Sequence, residues 1–480
     1  MLSLLSLSGC SQETDRHSIE FTRVALESEE SLSEIVPPGE PLGPRLVGVG
    51  SCTASGCHGG AQPDQIVGSE YNIWISADPH SQAHSVLYDD ESLKIVQRLD
   101  GSSWNAELPP FEAPRCVNCH STTFAPAVNP AGEVLTDGVG CEACHGPAED
   151  WVATHFDPGL SDADRRRMGM WNTKDLFSRA QICASCHVGG PGREVNHDMI
   201  AAGHPRLQFE MGAYLQALPK HWDERLDREH SGDSFEFLVW ALGQTATSQA
   251  AVKQLAERAS HGKVWPELSE WSCSACHHNL LDSVPRQRTL AKTGGLSGRA
   301  IRWDDWNHHV VRATADEITA SLGIDQSTTS LSENMSALSE LAGSLSADRI
   351  EIAEAARKLD DQLDNWAKQL VQKPIDLKVL DDLMHSLVQN YASVGVIDSS
   401  QAMLVYDALA SIQQSRLDML ARKKTQPSAL DTAITDKLAD IYISLTEENP
   451  APDAEITRAK KTNAQIAELS QLLQSSEVSQ

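Results

Sequence analysis

Apolar residues recur at helical spacing in the last third of the chain. Leu359, Leu363, Trp366 and Leu370 lie three or four positions apart, as do Leu377, Leu380, Leu383 and Leu387 and, later, Ile466, Leu469 and Leu473. A period near 3.6 puts each set on one helix face. Pro374, Gly395 and Pro427 punctuate the pattern, and Asn449-Pro450-Ala451-Pro452 reads as a loop. The pattern predicts a bundle of four or five helices over residues 311–480, with the stripes as ordinary core. Nothing in it suggests a second active site; a docking or scaffold role is open to it. No apolar run anywhere approaches the ~18 residues that span a bilayer.

The first two thirds of the chain lack this regularity. Residues 11–45 are polar and acidic and end in Pro37-Pro38-Gly39 and Pro41, as a flexible tether does. Residues 46–310 hold ten of the eleven tryptophans, Trp74 to Trp306, although aromatics make up only 5 % of the chain. The net charge of −28 argues against nucleic acid and against anionic lipid as partners. The start, Met1 to Cys10, has the look of the tail of a signal peptide. Leu7-Ser8-Gly9-Cys10 fits a bacterial lipobox with Cys10 as the lipidated residue, and the short apolar stretch places the true start upstream.

Cysteine spacing turns this outline into chemistry. Besides Cys10 there are five pairs: Cys52/Cys57, Cys116/Cys119, Cys141/Cys144, Cys183/Cys186 and Cys273/Cys276. A histidine follows each pair: His58, His120, His145, His187 and His277. With 18 histidines in 480 residues, five in five by chance is on the order of one in ten million. Cys-x-x-Cys-His is the attachment signature of haem c: two thiols take the two vinyl groups, and the next residue supplies an axial imidazole. Zinc ribbons need no histidine after each pair, redox dithiols occur singly, and disulfide frameworks suit short secreted chains. Cys52-x4-Cys57-His58 is wider than the rule, yet beside four regular sites it reads as a fifth. Ser55-Gly56 and Gly59-Gly60 let its backbone bend. Ten packed tryptophans suit five flat apolar macrocycles. Five haems also demand export, since cytochrome c maturation occurs outside the cytoplasm. The expected location is the periplasm, or a lipoprotein anchor facing the periplasm or the cell exterior.

The second axial ligand decides function, because a second imidazole makes an electron-transfer site and an open position makes a reactive one. His80 and His84 lie one turn apart in a helix that Pro79 would help to open. His155 follows the third site by ten residues; His197 and His204 lie seven apart, one face if helical; His278 adjoins His277. The candidates taken forward are His80, His155, His197, His204 and His278. His84, His221, His230, His261, His308 and His309 are left aside.

The order of elements carries a resemblance. A first Cys…Cys-His site is followed by a Trp…His-x-x-Ala helix, Cys-x-x-Cys-His, GVGCEACHGP…His and another Cys-x-x-Cys-His, over residues 50–187. This resembles the tetrahaem cytochrome c-554 family, whose members pass electrons from hydroxylamine oxidation to downstream carriers. The resemblance implies that His80 is a distal ligand and that His155 is the distal ligand of the first haem. It also implies that the second haem, on Cys116, Cys119 and His120, has no distal protein ligand. The fifth site, the His197/His204 segment and the C-terminal helices have no counterpart in those proteins.

The expected fold is mostly α: a pentahaem cytochrome domain with long loops over residues 46–310, then a helical bundle. The expected function is electron transfer, at mostly low potential, between redox partners such as other cytochromes or an oxidoreductase. The competing expectation is an enzyme or ligand-binding protein that acts on a small nitrogen oxide or hydroxylamine at a five-coordinate haem, most naturally at His120.

Overall fold

The computed structural model describes residues 45–60, 66–99, 109–123, 135–262, 264–271, 303, 305–325, 329–344, 346–396, 399–447 and 454–477. Cys10, the tether up to residue 44, and the fifth site (Cys273, Cys276, His277 with His278) lie outside the described residues. The described residues form α-helices, short 3-10 turns and loops; their only β pairing is three isolated bridges. The mostly α expectation is met. No described helix is long and apolar enough to cross a membrane.

Among the described residues, ten helices precede residue 262. They are α1 (Glu70–Ala77), α2 (Asp90–Leu99), α3 (Pro114–His120), α4 (Cys141–His145), α5 (Asp162–Arg167), α6 (Leu176–His187), α7 (His197–Ala202), α8 (Met211–Ala217), α9 (Glu224–Ser231) and α10 (Phe235–His261). Seven described helices follow: α11 (Asp305–Leu322), α12 (Leu331–Ala342), α13 (Arg349–Leu370), α14 (Leu377–Val394), α15 (Ser399–Arg422), α16 (Ala429–Thr446) and α17 (Ala454–Glu477). The C-terminal region thus has more helices than the four or five its stripes predict. Polar N-caps make the extra starts: Ser330, Asp348, Asp376 and Ser428 each accept a hydrogen bond from a first-turn N–H.

Helix α10 joins the two regions. Over 27 residues it is buried on nearly every face, as a helix in the middle of a core must be. It packs against α6 and α8 on one side and against α11, α13 and α15 on the other. One continuous core therefore runs from Leu176 to Leu473 and crosses residue 310.

Residues 45–175 are built differently. Their helices run from five to ten residues, and beyond scattered buried side chains the one separate cluster there is Leu99 with Met199 and Ala202. Such a small core does not offset the conformational entropy of so long a segment. The space that a core would fill is a cavity of about 2080 Å³.

Candidate haem site

Local sequence shapes the attachment sites first. Cysteines at i and i+3 share one helix face, and the histidine closes the helix. Helices α3, α4 and α6 each end on that histidine: His120, His145 and His187. Pro114 opens α3 at a position where its missing N–H costs nothing. Asp175 caps α6 by accepting from the Ser178 N–H at 2.8 Å. The first site is not a helix. Its wide linker folds back as a turn, with Cys57 N–H on Ala54 O (2.8 Å) and His58 N–H on Cys52 O (3.3 Å). A Cβ at Gly59 would collide with the Thr53 backbone, so the turn requires glycine there.

All eight described attachment cysteines line the one large cavity. The sites adjoin through their sulfurs. Cys52 lies beside Cys141, and Cys119 beside Cys186, close enough to shift each other's thiols, while Cys144 lies within electrostatic range of Cys183 and Cys186. The attachment sites therefore lie side by side in the order first, third, fourth, second. Burial pushes the Cys144 thiol up to about 12 and Cys183 up to about 11, whereas the neighbouring Cys141 and Cys119 thiols pull Cys52 down to about 7 and Cys186 down to about 6.

Histidines meet in pairs across this cavity. Ring centroids are 5.9 Å apart for His58 and His155, 6.5 Å for His120 and His204, 6.4 Å for His145 and His221, and 6.0 Å for His80 and His187. Two imidazoles on opposite sides of one metal ion, with metal–nitrogen bonds near 2 Å, have centroids roughly 6 Å apart. Each of the four described proximal histidines thus has one facing partner at the separation that two axial ligands need.

Ring orientation agrees. His58 Nδ1 is 3.0 Å from Glu70 Oε2 and His80 Nδ1 is 2.9 Å from Asp78 Oδ1. Backbone carbonyls take the same role for His120 (Ala83 O, 2.9 Å), His155 (Val152 O, 3.1 Å) and His204 (Pro205 O, 2.7 Å). An Nδ1–H held this way leaves Nε2 to ligate, the usual arrangement behind a metal-bound histidine. The third pair is the exception: His145 Nδ1 is buried with no acceptor, and His221 has only the Pro219 carbonyl near it. Burial pushes the His145 and His187 imidazoles down to about 4, keeping them neutral as a ligand must be. The carboxylate of Asp78 acts the other way and raises His80 against its desolvation. No cluster of three or more His, Cys, Asp or Glu converges among the described residues, as a bare zinc site would require. Paired imidazoles beside paired thiols in an apolar cavity fit haem.

Several candidates sit otherwise than their spacing suggests. His80 and His84 do not share a helix face. Helix α1 stops at Ala77, and Asp78 caps a separate 3-10 turn by accepting the His80 N–H at 3.0 Å. His80 then faces His187, while His84 packs edge-on against Tyr88. Nor do His197 and His204 share one. Helix α7 ends at Gly203, whose φ of 117° turns the chain and sends His204 toward His120. The resemblance implies no partner for His120, and the structure sets His204 there. His155 faces His58, and Arg165 fixes its turn by donating to the His155 carbonyl at 2.7 Å.

The sequence does not single out His221, and the structure sets its ring 6.4 Å from that of His145. The available signal was the adjoining Trp222. Its indole donates to Asp227 (2.9 Å), and Asp227 pairs with Arg179 from α6, whose guanidinium lies over the Trp222 ring. Glu142, inside the third Cys-x-x-Cys, also escaped notice. Only 2 % exposed, it accepts the N–H groups of Val47 (3.0 Å), Gly48 (2.8 Å) and Ala148 (2.7 Å). One carboxylate thereby ties the strand of chain before the first site to the third.

Comparison with known proteins points the same way. Residues 52–146 match the family described as cytochrome c554 and c-prime. The matches support a multihaem c-type cytochrome. The C-type polyheme cytochrome OmcB of Geobacter sulfurreducens, in strain DL-1/KN400 and in strain ATCC 51573, is 24 % identical to the cytochrome over 207 residues. That match covers 41 % of this chain and 23 % of the relative, so the cytochrome spans about a quarter of the length of the curated relatives it matches. No solved structure gives a significant match to it.

Proposed function

We propose that this cytochrome holds five covalent haems, each between two histidines, and relays electrons between redox partner proteins outside the cytoplasm. The observation that carries the reading is the set of four histidine pairs at 5.9–6.5 Å beside the paired cysteines. When bound, haem supplies one-electron iron chemistry whose potential follows its axial ligands, burial and nearby charge.

The chain's own residues do the rest. Thiols at Cys52/Cys57, Cys116/Cys119, Cys141/Cys144, Cys183/Cys186 and Cys273/Cys276 attach the five groups. His58, His120, His145, His187 and His277 are the proximal ligands. His155, His204, His221 and His80 face them and would hold the iron from the other side in the first four sites, keeping water and substrate off it. For the fifth site we assign His197. Its backbone N–H donates to Glu267 at 2.9 Å, and Glu267 stands six residues before Cys273 in the sequence. His278 then has no ligand role. The row of adjoining sites suits relay between two partners, other cytochromes or an oxidoreductase. Attachment of haem c places the protein in the periplasm or, through Cys10, on a membrane as a lipoprotein. His204 facing His120 weighs against an open, catalytic second site.

Intact-mass spectrometry of the denatured protein and low-temperature electron paramagnetic resonance of the ferric protein test this together. Five covalent haems with only low-spin signals are expected. A lower haem count, or a stoichiometric high-spin signal with carbon monoxide binding on reduction, would overturn it.

A further inference from the structure

The four histidine pairs are not held alike, and the difference is chemical. In the first pair, His58 shares its Nδ1 proton with Glu70, a carboxylate 21 % exposed and fixed by the Gly68 N–H at 2.9 and 3.0 Å. In the fourth, His80 shares its proton with Asp78, 5 % exposed and fixed by the His80 N–H. The second pair has backbone carbonyls on both rings. The third has no carboxylate on either ring, and His145 Nδ1 has no acceptor.

A carboxylate that draws an Nδ1 proton toward itself puts negative charge on the imidazole and makes it a stronger donor to ferric iron. A neutral, buried pair does the reverse, because an apolar site disfavours the extra positive charge of the ferric state. We infer that Glu70 and Asp78 are positioning residues that hold the first and fourth sites at low potential, and that the His145–His221 site between them is, of the four described sites, the first to be reduced and the place where electrons settle. This inference rests on the ligand assignment proposed above.

Other charges lie near the third site. Asp78 and Glu70 also act on His221 through space, which lowers the third site somewhat, whereas Arg179 acts on it in the opposite sense and is itself paired with Asp227. The hydrogen bonds act directly on the rings that ligate, so the ranking follows them.

The test is a redox titration of the holoprotein followed by paramagnetic resonance, with Asp78→Asn and Glu70→Gln beside the parent. Each variant keeps an oxygen acceptor but loses the charge. Asp78→Asn is expected to move the fourth site's midpoint upward, and Glu70→Gln the first site's, with haem count and low-spin state unchanged. The parent alone gives a second reading that no folding defect can spoil. The first pair has nearly parallel rings, 18° apart, so its signal is distinct from those of the crossed pairs and should not be the first to vanish on reduction. Unmoved midpoints in both variants, or the parallel-ligand signal vanishing first, would overturn the inference. His80→Met separates the two ideas. If that change leaves ligation and spin state untouched, the ligand assignment fails; if it alters them while Asp78→Asn moves nothing, only the tuning fails.

Discussion

The imidazoles of His145 and His221 face each other with centroids 6.4 Å apart and planes crossed at 73°. They come from opposite ends of one scaffold. His145 closes a five-residue helix inside the attachment motif, and His221 follows α8 in a segment that Trp222, Asp227 and Arg179 clamp to α6. The contact brings together residues 76 positions apart, and it decides what this site can do.

Removing one face of that pair should change spin state and leave attachment alone. His221→Ala is expected to leave five covalent haems, to convert one low-spin ferric signal to high-spin, and to let one ferrous site bind carbon monoxide. Visible spectra of the reduced variant with and without carbon monoxide check this. A spectrum indistinguishable from the parent would count against His221 as a ligand.

Ring geometry predicts the resonance spectrum without any mutation. The planes of His58 and His155 are 18° apart, while those of the other three pairs are 75°, 89° and 73° apart. Near-parallel ligand planes lift the degeneracy of the iron orbitals and give an ordinary rhombic low-spin signal; crossed planes leave them nearly degenerate and give a strongly anisotropic one. Among the first four sites one rhombic signal is expected against three anisotropic ones. Simulation of the ferric spectrum checks the ratio, and His155→Ala should remove the rhombic component alone.

Glu142 is expected to behave as a structural carboxylate. Glu142→Gln keeps one oxygen but turns an amide N–H₂ toward N–H groups of Val47, Gly48 and Ala148 that need acceptors. Leaving a buried donor unpaired costs on the order of 1–3 kcal/mol. The melting temperature should fall and the first site should become protease-sensitive, with Arg45–Val49 the first segment released. Thermal melts and limited proteolysis measure both.

Loss of haem should divide the protein unequally. Residues 176–473 share a continuous side-chain core and form one wall of the cavity, whereas residues 45–175 form the other wall without such a core. Protein made without haem attachment is expected to keep most of its helical circular dichroism and a cooperative melt from the C-terminal helices. Its N-terminal region should be digested rapidly, because metal-type staples stand in for a core there. Equal protease resistance of the two regions would contradict this.

Much of the chemistry was legible in the sequence. Attachment needs two thiols and an imidazole close together along the chain, so Cys116, Cys119 and His120 announce a site by spacing alone. The helices after residue 310 were legible for a similar reason: Leu359, Leu363, Trp366 and Leu370 repeat with the period of a single helix, and all four are buried.

What the sequence by itself determined was therefore local: five attachment motifs, a mostly α chain, and two regions of different texture. Only the tertiary structure decided which histidine faces which. Facing histidines are chosen by the meeting of segments far apart in the chain, and small backbone features steer that meeting. Asp78 stops α1 and turns His80 to His187, Gly203 sends His204 to His120, and the Arg179–Asp227–Trp222 clamp brings His221 to His145. No spacing rule contains those encounters, because a contact across a cavity depends on where both walls stand.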